Sequence, residues 1–135
     1  MSRSGYDDDW CETWSLIRWR GAVAAAIRGK RGQAFLLEMW KAMQSLPEQK
    51  LIANSLEEEG AVCAIGSVGK ARGVDMSKID VEDHEAVAAA FDIPHALACE
   101  IMYENDEGRW QETPEQRFVR MKKWAERNLL PVVDG

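Results

Sequence analysis

Residues 113–128, TPEQRFVRMKKWAERN, carry the signal on which the reading of the fold turns. Thr113 has the side chain of a helix N-cap, Pro114 suits the first helical position, and Gln116 completes a capping box. Phe118, Met121, Trp124 and Ala125 then recur every three or four residues, the spacing of one buried helical face. Pro131 stops the run. The same punctuation recurs upstream. Asp92-Ile93-Pro94 breaks one helix and opens another, predicted from Pro94 to about Asn105 with Leu97, Ile101 and Met102 inward. Asp80 is expected to cap the helix before it, which runs to Phe91. Gly73 ends a short helix over 66–72.

The first half reads similarly. A helix is predicted from about Trp10 to Arg28, with Trp14, Ile17, Gly21, Ala24 and Ala25 on its inward stripe and Leu16, Val23 and Ile27 widening it. A second runs from Gln33 to Ser45 and buries Phe35, Leu36, Met39, Trp40 and Met43 before Pro47 stops it. Residues 47–66 fit two patterns. Leu51, Ile52, Ser55 and Leu56 suit a helical period, and helix over 47–58 is the preferred reading. A small hairpin turning near Glu59-Gly60 is the competitor. The expected architecture is mostly α: one compact domain of five to seven helices over 10–130, with a hairpin admitted near 50–66. An arm over 1–9 and a tail over 131–135 flank it.

A chain of 135 residues with 46% hydrophobic and 30% charged side chains has the composition of one globular domain. No apolar run is long enough for a bilayer span, and the polar N-terminus does not read as a secretory signal. The net charge of −6 is unevenly spread. Between Leu51 and Trp110 thirteen acids face four bases, whereas both ends are mildly basic. Glu57, Glu58, Glu59, Glu82, Asp83, Glu104, Asp106 and Glu107 therefore form a candidate face for a basic partner. A second candidate surface is aromatic and basic: Trp10, Trp19, Arg18 and Arg20. Three tryptophans in ten residues exceed what one helical face buries, and this stretch also suits a homodimer. Arg117, Arg120, Lys122, Lys123 and Arg127 make a further basic patch on the last helix.

Chemistry-bearing motifs are scarce. Gly66-Ser67-Val68-Gly69-Lys70 lacks the first glycine and the hydroxyl of a phosphate loop, and it reads as turn geometry rather than a nucleic-acid clamp. Residues 85–104 have a helix-turn-helix outline, but the second helix carries acids where phosphate contacts need bases. Cys11, Cys63, Cys99, His84 and His95 lack paired-ligand spacing, so neither a disulfide framework nor a metal centre is expected. The cysteine usage suits a reducing cytoplasm. No catalytic residue and no cofactor is nominated.

Several strings are distinctive: Trp19-Arg20-Gly21-Ala22-Val23, Ala26 through Leu36 (AIRGKRGQAFL), Val62-Cys63-Ala64-Ile65-Gly66, Gly73-Val74-Asp75-Met76-Ser77-Lys78, Tyr103-Glu104-Asn105-Asp106-Glu107 and Glu112-Thr113-Pro114-Glu115-Gln116-Arg117. Together they resemble a widespread family of small proteins encoded by tailed phages and prophages, over nearly the whole chain. The resemblance implies a phage-encoded accessory protein in the cytoplasm of a bacterial host, and it transfers no site residues. The expected role is non-enzymatic. The chain would bind and modulate a bacterial protein or nucleoprotein complex, with inhibition of host defence of the anti-CRISPR type as the leading instance. The alternative is a nucleic-acid-binding regulator built on the helix-turn-helix outline.

Overall fold

A computed structural model describes residues 12–107 and 111–131 of the chain. Six α-helices and one two-stranded antiparallel sheet make up the described part: α1 (Glu12–Arg28), α2 (Lys30–Gln44), β1 (Glu57–Glu58), β2 (Ala61–Val62), α3 (Ala64–Arg72), α4 (His84–Phe91), α5 (His95–Asp106) and α6 (Pro114–Asn128). The mostly α expectation holds. The arm over 1–9, Trp10, Trp110 and the tail from 132 onward lie outside the described residues.

The capping box forms as its residues dictate. The Thr113 hydroxyl accepts from the Gln116 N–H at 3.1 Å, and the Gln116 side chain accepts from the Thr113 N–H at 2.9 Å. The face that follows, Phe118, Met121, Trp124 and Ala125, is buried. It meets Phe35, Leu36, Met39 and Met43 of α2, Ile65 and Val68 of α3, Val87 and Phe91 of α4, and Leu97 and Ile101 of α5 in one core. Gln33 ties three chain segments to this core. Its Nε2 donates to the carbonyls of Ile27 (2.7 Å) and Asn128 (2.9 Å), and its Oε1 accepts from the Leu130 N–H (2.8 Å). Arg72 closes another edge. Its guanidinium lies about 6 Å from the rings of both Phe35 and Phe91 and forms a two-pronged pair with Glu38 at 2.6 and 2.7 Å.

Residues 47–56 are not helical, so the preferred helix over 47–58 gives way to the hairpin. Glu59 (φ 53°) and Gly60 (φ 86°) supply the positive dihedrals of its two-residue turn. Glu57 pairs with Val62 and Glu58 with Ala61, while the Ile52 N–H donates to the Val62 carbonyl on the other side of β2. The segment's backbone bonds therefore go to a ladder rather than to a helix.

Two further expectations need correction. Asp83, not Asp80, caps α4: its carboxylate accepts from the Ala86 N–H at 3.1 Å, and Asp80 instead caps a preceding turn through the Glu82 N–H at 3.0 Å. Gly66-Ser67-Val68-Gly69 is neither a turn nor a clamp. It is buried helix, with its glycines admitting neighbouring chain segments.

The inward stripe of α1 also differs from expectation. Ile17 is 54% exposed, and Gly21 and Ala25 are exposed with it. Val23, Ala24 and Ile27 of the expected stripe are half-buried, and Trp19 and Ala26 turn towards the domain with them. Between residues 17 and 28 no side chain of α1 is fully buried.

Candidate functional site

The two histidines and Cys99 do not stay scattered. Cys99 stands one helical turn after His95, the first residue of α5, so both share a face. His84 is the first residue of α4. Asp92 adopts the left-handed conformation between these helices, and their axes differ by 110°. That bend swings His84 onto the same sulfur. Cys99 Sγ lies 3.2 Å from Nε2 of His95 and 3.4 Å from Nδ1 of His84. The thiol has one proton, so it donates to one imidazole nitrogen and accepts an N–H from the other. Trp19 of α1 meets His95 edge to face at 6.1 Å. Its indole N–H is buried and has no hydrogen-bond partner among the described residues.

A cysteine between two histidines suggests a nucleophile or a metal ligand, and both uses need a thiolate. The surroundings oppose one. Burial pushes the Cys99 thiol up to about 11, with the negative charges of Glu100 and Glu85 adding to the effect. Among the described residues no group of three or more histidines, cysteines and carboxylates is placed to hold a metal ion. Cys63 is more strongly shifted still: burial pushes it up to about 12, although its sulfur caps α3 by accepting from the Gly66 N–H at 3.3 Å. Both thiols are free. The cluster is thus a polar joint between α1, α4 and α5. Alkylation of Cys99 in the folded protein at pH 8 is expected to be at least about a hundredfold slower than in urea, because both access and thiolate fraction are low. Peptide mapping after timed iodoacetamide treatment checks this; equal rates in the two conditions contradict it.

The acidic candidates fall on three segments. Glu57, Glu58 and Glu59 crown the hairpin and are all exposed. Glu82 and Asp83 precede α4, and Glu104, Asp106 and Glu107 end α5. Of the eight acids only Asp106 lines the narrow crevice between Ser55, Val81, Met102 and Asn105. Their chemistry is not uniform. Asp83 is a cap, Asp106 accepts from the Asn54 N–H at 3.0 Å, and Glu104 lies 3.9 Å from Arg120. Glu57, Glu58 and Glu59 form no ion pair among the described residues.

The aromatic and basic candidates divide. Arg18 and Arg20 are exposed as expected, and Trp19 is half-buried, its ring edge to face with His95. Trp10 lies outside the described residues. On α6, Arg117 and Arg120 turn inward rather than forming an open patch. Glu112 sits between them, 2.7 Å from Arg120 and 3.4 Å from Arg117. The two guanidiniums also donate to the carbonyls of Leu51, Glu104 and Asn105. Lys122, Lys123 and Arg127 remain as that helix's unpaired cations among the described residues.

A groove of about 450 Å³ runs beside the hairpin, lined by Pro47, Lys50, Ile52, Glu59, Val62, Lys70 and Pro114. Lys50 there is already matched by Glu48 at 3.4 Å and Glu115 at 3.6 Å, and these carboxylates push its pKa upward. No helix among the described residues is long and apolar enough to cross a membrane. Comparison with protein-family models, curated proteins and solved structures gave no match to this chain.

Proposed function

We propose that the chain is a non-enzymatic binding protein that presents a fixed acidic edge to a basic surface of a bacterial macromolecular complex. The observation that carries this reading is the hairpin tip. Three consecutive glutamates, Glu57, Glu58 and Glu59, are exposed at a hydrogen-bonded hairpin and form no ion pair among the described residues. Held on a two-residue turn, they lose little further backbone freedom on binding. Glu82 and Glu107, also exposed, extend the charge along neighbouring segments. Such an edge is suited to occupying a cationic groove that otherwise receives nucleic acid. The resemblance to phage-encoded proteins supports a bacterial host cytoplasm as the setting and host-defence inhibition of the anti-CRISPR type as the role.

Nucleic-acid reading by 85–104 is disfavoured by the placement of α5. Leu97, Ala98, Cys99, Ile101, Met102 and Asn105 of this helix are buried. A groove-reading helix needs a free face with cations, whereas the partly open positions of α5 include Glu100 and Glu104.

The test is affinity capture from nuclease-treated bacterial lysate, followed by titration of the captured complex with wild-type protein and with the triple variant Glu57→Lys, Glu58→Lys, Glu59→Lys. The variant is expected to keep its thermal midpoint, since all three side chains are exposed. It is expected to bind at least about thirtyfold more weakly, and wild-type affinity is expected to fall as salt rises. Wild-type affinity in the triple variant overturns the reading.

A further inference from the structure

The groove beside the hairpin adds an apolar element to the acidic tip. Leu46 and Ile52 are half-buried in it, while Pro47, Ala61 and Pro114 are exposed along it. At about 450 Å³ it admits one leucine or phenylalanine side chain. Its walls are fixed before anything binds. The Leu51 N–H donates to the Pro114 carbonyl at 3.1 Å and the Ile52 N–H to the Val62 carbonyl at 2.9 Å. Pro47 and Pro114 add locked φ angles. A preformed groove loses little freedom when it is filled.

Charge decides what kind of molecule fits. Glu48 and Glu59 line the groove, Glu57 and Glu58 adjoin Glu59, and Glu115 adjoins Pro114. Against these five acids stand two bases, Lys50 and Lys70. Lys50 is held by Glu48 at 3.4 Å and Glu115 at 3.6 Å, so its charge is already matched. The surroundings are therefore net negative over an apolar floor. A nucleic acid would bring phosphates against the carboxylates, and an anionic membrane would do the same. A twofold contact through the groove would bring two acidic tips together. A protein segment that combines an apolar side chain with cations meets neither obstacle.

We propose that the groove receives a large apolar side chain of the partner, from a protein segment that sets a lysine or arginine within two residues of it on Glu57, Glu58 and Glu59. The inference rests on the acidic-edge reading and adds the partner's chemistry to it. In an extended segment, residues two apart lie about 7 Å from each other on one side, so one segment serves both the groove and its Glu59 rim. The cations draw the segment in, and the apolar anchor selects it. Lys70 is exposed and forms no ion pair among the described residues, so it disfavours a cation on its side of the groove.

The isotope-labelled full chain, followed by its amide NMR signals, tests this with two peptides, acetyl-KKFKK-amide and acetyl-KKAKK-amide. The phenylalanine peptide is expected to bind about tenfold more tightly and to shift the amides of Ile52, Gly60, Ala61 and Val62. The alanine peptide is expected to shift residues 57–59 alone. Ala61→Trp, at an exposed position, fills the groove. It is expected to abolish the preference for the phenylalanine peptide while leaving alanine-peptide binding and the thermal midpoint unchanged. Equal affinities, with shifts confined to residues 57–59, overturn the groove proposal and leave the acidic edge standing. No shift at residues 57–59 with either peptide overturns both. A preference that survives Ala61→Trp overturns the groove proposal. So does displacement of the phenylalanine peptide by single-stranded oligothymidylate, or a shift of the groove amides when the chain alone is concentrated.

Discussion

Replacing Gly66 with alanine is expected to remove about 3 kcal/mol or more of stability, enough to lower the thermal midpoint by roughly 10 °C or to prevent accumulation of folded protein. Gly66 is buried near the start of α3. A methyl group there would overlap the carbonyl oxygen of Leu56 and reach Val62 Cβ at 3.1 Å. Overpacking against a flexible side chain is relieved by a rotamer change, but here the obstacle is backbone. That backbone has little room to move: the Leu56 carbonyl accepts from the Cys63 N–H at 3.1 Å, and Leu56 is itself buried. Relief would require separating α3 from the segment that leads into the hairpin. Gly69→Ala is the control. Its nearest neighbour is the thioether of Met76, which adapts, so a smaller loss is expected. Thermal melts of the two variants beside wild type check the difference; equal midpoints for Gly66→Ala and wild type contradict the packing argument.

Asn105→Ala is the second large effect, expected at about 3 kcal/mol. Asn105 is 1% exposed, one of two polar residues in the buried set. Its Nδ2 donates to the Ile52 carbonyl at 2.9 Å and to Asp106 at 3.0 Å, and its Oδ1 accepts from the Ala64 N–H at 3.1 Å. Alanine leaves the Ala64 N–H without an acceptor in a place water does not reach, a loss of about 1–3 kcal/mol by itself. The Ile52 carbonyl loses its donor, and the side-chain volume is left unfilled. The donations of Arg117 and Arg120 to the Asn105 main-chain carbonyl survive the change, so the fold persists in weakened form. Urea unfolding is expected to show a lower midpoint with an unchanged slope. A midpoint equal to that of wild type contradicts the role given to Asn105.

These two residues show where sequence patterns carry structural information and where they stop. Local rules carried the helices. The Thr113 capping box, the left-handed Gly73 and the break at Asp92-Ile93-Pro94 depend on residues within one turn of each other, so they are legible without knowing the tertiary structure. Asp80 and Asp83 are equally good caps in isolation, and the choice between them follows from where the preceding chain comes to lie. The face of α1 was ambiguous for a similar reason. The expected stripe, widened by Val23 and Ile27, spans more than one face; which part of it turns inward depends on α2 and α5, and they select the Val23 and Ile27 side. Hairpin over helix at 47–58 was decided by the Val62 carbonyl taking the Ile52 N–H, a contact across ten residues. The polar joint was half visible. His95 and Cys99 stand four apart on one helix, but His84 joins them only through the bend after α4. Asn105 stands in the polar run 104–108, which reads from its composition as a solvated turn; its burial follows from Ile52 and Ala64 coming to lie beside α5. The exposure of Glu57, Glu58 and Glu59 follows directly from their run of charge.

The shallow seating of α1 has a dynamic consequence. A helix with no fully buried side chain between residues 17 and 28 exposes little apolar surface when it lifts away, and its main-chain hydrogen bonds stay within itself. Its release is therefore a partial opening of low free energy, distinct from global unfolding. Trp19 leaves with it, and His95 and the Cys99 thiol lose their cover. The reactivity of that thiol consequently reads the opening equilibrium of one helix, and its dependence on denaturant is shallow compared with that of the whole domain.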